Sequence, residues 1–112
     1  MQSISPETIY RGNSAWEKSL PQITKLTKSP LILGRGIQTN NLRNNIFNDL
    51  KNQKLNVNSA NLQFDCCYED ISRVKNIISN NNNDCVIAAG GGKVLDSGKY
   101  IAESLNIPCI TV

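Results

Sequence analysis

A chain of 112 residues has room for one domain around one core, because a two-domain enzyme needs roughly 100–200 residues for each domain. With 39% apolar and 19% charged residues spread along it, the chain is globular rather than disordered. Its net charge of +3, carried on scattered lysines such as Lys25, Lys28, Lys51, Lys54 and Lys75 without aromatic partners, argues against a nucleic-acid surface.

Other exclusions follow from particular residues. No apolar run approaches the ~18 residues of a membrane span and the N-terminus lacks a secretory pattern, so a cytoplasmic protein without a membrane partner is expected. Histidine is absent, which removes the commonest general base and the commonest metal ligand. Of the four cysteines, Cys66 and Cys67 are adjacent while Cys85 and Cys109 lie inside apolar runs. That spacing fits neither a zinc ribbon nor a disulfide framework, and buried thiols are the expectation.

The first β-rich run, Thr8 to Arg11, is closed by Gly12 and Asn13. Ser14 and Glu17 then stand at capping-box spacing, and Ala15, Trp16, Leu20, Ile23 and Leu26 follow with helical periodicity. Pro21 is expected to kink this helix or divide it, and Trp16 reads as core rather than as a ligand platform. Residues 30–34 form a continuous apolar run of the kind buried on both faces of a parallel sheet, ending in Gly34-Arg35-Gly36.

Leu42, Ile46, Phe47 and Leu50 mark an amphipathic helix from Asn40 to Leu50. A strand is expected between Leu55 and Phe64, and a helix from Glu69 to Ile78 with Ile71, Val74, Ile77 and Ile78 on one face. The asparagines 80–83 act as a breaker. Cys85 to Ala89 is the clearest strand. It is followed by three glycines and by a helix with Val94, Leu95, Tyr100, Ile101 and Leu105 on its apolar face, closed before Pro108. Residues 109–112 begin a last strand. The alternation predicts an α/β fold, a parallel sheet with flanking helices. A chain stopping on an uncovered strand is expected to be the first part of something longer, and such a strand invites pairing with another chain, a homo-oligomer included.

The strongest constellation is Gly90-Gly91-Gly92-Lys93 between a buried strand and a helix. Glycines there let backbone N–H groups approach a diphosphate, and the helix start adds unpaired donors and partial positive charge. Neither the GxGxxG fingerprint nor a P-loop is present, so the residues alone read either as an anion site or as a tight turn that needs glycine.

The stretch DCVIAAGGGKVLDSGK, Asp84 to Lys99, resembles the D-x-V-I-x-x-G-G-G-K-x-x-D-x-x-K segment of the iron-containing alcohol dehydrogenases, and the lysine is similar to the glycerol dehydrogenase branch. An SP-x-x-Y-x-x-G opening at Ser5, Pro6, Tyr10 and Gly12, the LILG strand and the closing LNIPCITV agree with it. The resemblance covers the whole chain but only the N-terminal half of a family member. It implies a Rossmann-like three-layer domain of the dehydroquinate synthase-like superfamily over residues 1–112, the dinucleotide-binding domain, without the C-terminal helical domain whose aspartate and histidines bind iron or zinc.

It further implies that Gly90, Gly91, Gly92 and Lys93 hold the pyrophosphate of NAD or NADP. Asp96 is either a contact to the nicotinamide-side ribose or substrate, or a first-turn carboxylate favoured by the helix dipole. Lys99 is an outward or pairing lysine. Arg35 stands where many NAD-using members carry an acid that binds the adenosine ribose. A guanidinium there favours a 2′-phosphate and NADP, unless it is only a loop arginine. The implied activity is oxidation of an alcohol or polyol, with this portion alone catalytically incomplete. Dehydroquinate synthase or glycerol-1-phosphate dehydrogenase relatives, and a non-catalytic binding module, are the competing readings.

Overall fold

The computed structural model describes residues 7–8, 14–36, 40–63 and 67–112. Five strands and four helices occur among them in the order β1 (Glu7–Thr8), α1 (Ser14–Leu26), β2 (Pro30–Arg35), α2 (Asn40–Asn52), β3 (Asn58–Leu62), α3 (Tyr68–Asn81), β4 (Cys85–Ala88), α4 (Gly92–Leu105) and β5 (Cys109–Thr111). All strand pairs are parallel and the sheet order is β1-β5-β4-β2-β3.

Period-two alternation in the central strands divides the interior into two cores. Leu31, Leu33, Val86 and Ala88 point to one face and pack against Ile71, Val74 and Ile78 of α3 and Val94, Ile101 and Ala102 of α4. Ile32, Cys85, Ile87 and Ala89 point to the other, against Ile23 of α1 and Ile46 and Leu50 of α2. The result is a helix–sheet–helix sandwich of three layers, the expected α/β class. It explains why residues 30–34 and 85–89 are apolar without interruption: each side of these strands is covered.

Several local expectations shift. Pro21 lies inside an undivided α1, so the helix is not split there. α3 runs through Asn80 and Asn81 and ends only at Asn82, whose left-handed backbone (φ 54°) forms the C-cap; Asn106 does the same for α4 (φ 62°). Tyr100 is 61% exposed and is not on the core face of α4. The buried positions there are Val94, Ser97, Gly98, Ile101 and Ala102, a regular i, i+3, i+4, i+7, i+8 stripe whose middle residues are small. Ser97 Oγ donates to Lys93 O at 2.7 Å, so burying its hydroxyl leaves no orphan. Ile9 to Gly12, the SP opening, Cys66, Phe64 and the side chains of Ser14, Trp16 and Glu17 lie outside the described residues.

At the N-terminal edge of the sheet, Asp84 joins two loops. Its carboxylate accepts from the Thr27 hydroxyl, from Lys28 N at 3.0 Å and from Ser29 N at 3.2 Å, while its own N–H donates to Ser29 O at 3.0 Å. The first residue of the DCVIAAGGGK stretch is thus a structural clamp, at the opposite end of β4 from the glycines.

Cys85 and Cys109 are buried, as expected, at 0% and 3% exposure. Burial raises both thiols, Cys109 from its ordinary 9.0 to about 11. The folded chain therefore keeps the Cys109 proton where the unfolded chain has begun to lose it. This contribution to stability is fully present below pH 9.0 and is lost as the pH rises towards 11. Cys109→Ala is expected to flatten the alkaline fall in urea midpoint across that window; an unchanged slope would refute this origin.

Candidate functional site

The sheet order itself creates a crevice. β2 has β3 on one side and β4 on the other, and the chain leaves β2 for α2 on one face but leaves β4 for α4 on the opposite face. The two departing turns diverge, which is the switch point at which open parallel sheets bind ligands beyond the C-terminal ends of their strands. The β2–β4 register ends at Leu33↔Ala88, with Ala89 N donating to Leu33 O at 2.9 Å, so Arg35 at the end of β2 and the glycine turn after β4 leave the same edge of the sheet. Arg35 and the glycine turn are therefore brought together at one edge by topology alone.

Within the glycine turn the three residues differ. Gly90 has φ +149°, a backbone that L side chains rarely adopt, and a Cβ there would stand 3.3 Å from Val94 Cγ2. Gly91 is the N-cap of α4 in extended conformation, and neither it nor Gly92 has any atom within 4 Å of where a Cβ would be. A tight turn accounts for Gly90 only. At Gly91 and Gly92 the missing side chains leave open space above a helix start that has no side-chain cap. The first intrahelical bond is Leu95 N to Gly91 O at 3.0 Å, so by helix geometry the N–H groups of the first turn lie ahead of the intrahelical ladder. Lys93 is exposed in this first turn.

Asp96 is placed differently. It is exposed on α4 and lines a groove of about 690 Å³ between α3 and α4, together with Tyr68, Ile71, Ser72, Lys75, Asn76 and Tyr100. Because Tyr68 opens α3, the groove reaches the same edge of the sheet as the glycine turn, but Asp96 faces it from the side.

Two residues of this edge escaped the sequence reading. Arg43, on α2, is 6% exposed, and its guanidinium donates to Gly36 O at 2.6 Å and Arg35 O at 3.4 Å. It occupies the space in which a Cβ of Gly34 would lie. The signal was present: Arg43, Ile46 and Leu50 fall at i, i+3 and i+7, so the arginine sits on the buried stripe. The second is Asp70 of α3, 1% exposed, whose Oδ1 accepts from Gln63 N at 3.1 Å and pairs with Arg73 Nη2 at 3.1 Å, tying the residue after β3 to the first turn of α3.

Residues 6–111 match the profile of the iron-containing alcohol dehydrogenase family. The chain belongs to that family. Its fold is shared with solved structures of low identity: glycerol dehydrogenase from Schizosaccharomyces pombe (23% identity, TM-score 0.79, 98% of this chain and 28% of that one) and maleylacetate reductase from Rhizobium sp. strain MTP-10005 (18%, 0.76, 98% and 31%). The aldehyde reductase of E. coli is also similar (21%, 0.70, 86% and 25%). The chain thus spans about three-tenths of the length of these family members. No curated protein sequence matches it. Among the described residues of this family member, no three His, Cys, Asp or Glu side chains gather into a group able to hold a metal ion, and no helix is long and apolar enough to cross a membrane.

Proposed function

We propose that this chain is the NAD(P)-binding part of a metal-dependent alcohol or polyol dehydrogenase resembling glycerol dehydrogenase, in which Gly90, Gly91, Gly92 and Lys93 hold the cofactor's pyrophosphate. The observation that carries the reading is the open space at Gly91 and Gly92 above the uncapped start of α4, at the switch point of the sheet. A diphosphate seated there receives first-turn N–H groups and the helix dipole, and the Lys93 ammonium offsets charge that backbone dipoles balance only in part. Extending from that point, the adenosine ribose meets the end of β2, where Arg35 favours a 2′-phosphate over a free hydroxyl. Asp96 approaches the nicotinamide-side ribose or the substrate from the α3–α4 groove.

The donor set does not fit the family's iron or zinc: histidine is absent from the chain and the described acids and thiols do not converge. The cofactor, when bound, accepts hydride, but the polarisation of a substrate alcohol needs ligands these residues do not supply. The chain by itself is expected to bind dinucleotide without oxidising alcohols.

Titration with NADH and with NADPH, followed by energy transfer from Trp16 or by calorimetry, tests the proposal. Saturable binding is expected, tighter for NADPH, and Lys93→Ala should weaken both by about tenfold, the worth of one charge-assisted contact. Absence of binding of either dinucleotide at roughly millimolar concentration, where even about 4 kcal/mol of affinity registers, would reject it.

A further inference from the structure

We infer that Arg43 is a positioning residue for cofactor choice: by holding the carbonyls of Arg35 and Gly36 at the end of β2, it makes the adenosine-ribose end of the proposed site select a 2′-phosphate. The inference rests on the dinucleotide reading above and adds to it a residue that no motif marks.

Three observations lead to it. Arg43 is a cation almost wholly removed from solvent on a stripe otherwise made of Ile46 and Leu50, where an aliphatic residue would pack without the desolvation cost of a guanidinium. Its guanidinium donates to the carbonyls of Arg35 and Gly36, the residues that end β2 at the switch point. These carbonyl oxygens are therefore turned inward onto the cation, and their negative ends do not oppose an anion approaching from the crevice. Finally, Gly34 has no side chain where Arg43 lies, so residues 34 and 43 are matched in shape. Arg43 thereby sets the backbone from which the Arg35 side chain departs, and it adds a second positive charge beneath the end of β2. In place of the carboxylate that an NAD-selective site presents, the end of β2 carries the Arg35 guanidinium, with the buried charge of Arg43 behind it.

The decisive measurement compares 2′,5′-ADP with 5′-ADP by calorimetry on the 112-residue chain. The native chain should bind the 2′-phosphorylated fragment at least about tenfold more tightly, the scale of one charge-assisted pair. Arg43→Gln should bring the ratio to within about twofold, the loss falling on 2′,5′-ADP more than on 5′-ADP, and Arg43→Lys, which keeps the charge but loses the fork, should fall between. Gly34→Ala, which displaces the guanidinium without deleting it, should also lower the ratio and serves if Arg43→Gln fails to fold. Equal weakening of both fragments with the ratio preserved would make Arg43 a purely structural clamp and overturn the inference. Equal affinities in the native chain would overturn it too, with the dinucleotide reading intact. No binding of either fragment, or of NADH, would remove that reading and the inference together.

Discussion

Gly98→Val is expected to lower the stability of the chain by about 3 kcal/mol or more, a large part of the roughly 5–15 kcal/mol that holds a domain of this kind folded. A Cβ at Gly98 would stand 2.7 Å from the Cβ of Ala88, with Cys109 Sγ at 3.6 Å and Leu33 Cδ2 at 3.7 Å. The Ala88 carbon is attached directly to the backbone of a central strand and cannot rotate away, so α4 must lift off the sheet. Lifting it withdraws Val94, Ile101 and Ala102 from their core and tilts the helix start that carries Lys93. Gly98→Ala imposes the same contact with one carbon and recovers about 1 kcal/mol of helix propensity, so its net cost should be smaller. Urea midpoints of the two variants measure this directly. A Gly98→Val protein as stable as the native one would mean that α4 does not rest on β4 as closely as described.

Gly91→Val should have the opposite profile. Its Cβ points into open space and its backbone, φ −80° and ψ −176°, is ordinary for valine, so the fall in folding stability should be about 1 kcal/mol, the cost of an apolar residue at the N-cap. The branched side chain would nevertheless fill the volume above the first turn of α4. A diphosphate displaced by a few ångströms loses its N–H contacts together, and NADH affinity should fall by about a hundredfold or more, equivalent to two such contacts. The same titration and urea melt, run on one preparation, separate the outcomes. Retained affinity in the folded variant would place the pyrophosphate elsewhere and leave the glycine turn as architecture.

Much of this frame was legible in the residues. The uninterrupted apolar runs at 30–34 and 85–89 announced strands covered on both sides, because a strand facing water on one side must alternate. The i, i+3, i+4 spacing of Ile71, Val74 and Ile78 announced α3. Tyr100 lies off the core face of α4 despite its size: the regular stripe from Val94 passes through Ser97 and Gly98, and small residues bury a helix by letting it come close. α3 ends later than the asparagine run suggests, because asparagine in a left-handed C-cap and asparagine as a breaker look the same in sequence. The family segment from Asp84 to Lys99 gave no hint that its two ends do different work, the aspartate clamping loops at one edge of the sheet and the glycines opening the other.

By itself, the sequence determined the class of fold, the family and the position of the glycine turn, for these depend on local periodicity and on an ordered motif, both carried by neighbouring residues. Only the tertiary structure decided that Gly90 is needed by the backbone while Gly91 and Gly92 are not, that Arg35 and the glycine turn share one edge of the sheet, that Asp96 faces a side groove, and that Arg43 underlies Gly34. Each of these depends on which strands become neighbours and on how closely a helix approaches them. Such distances arise from the packing of residues far apart in the chain, and no local pattern encodes them.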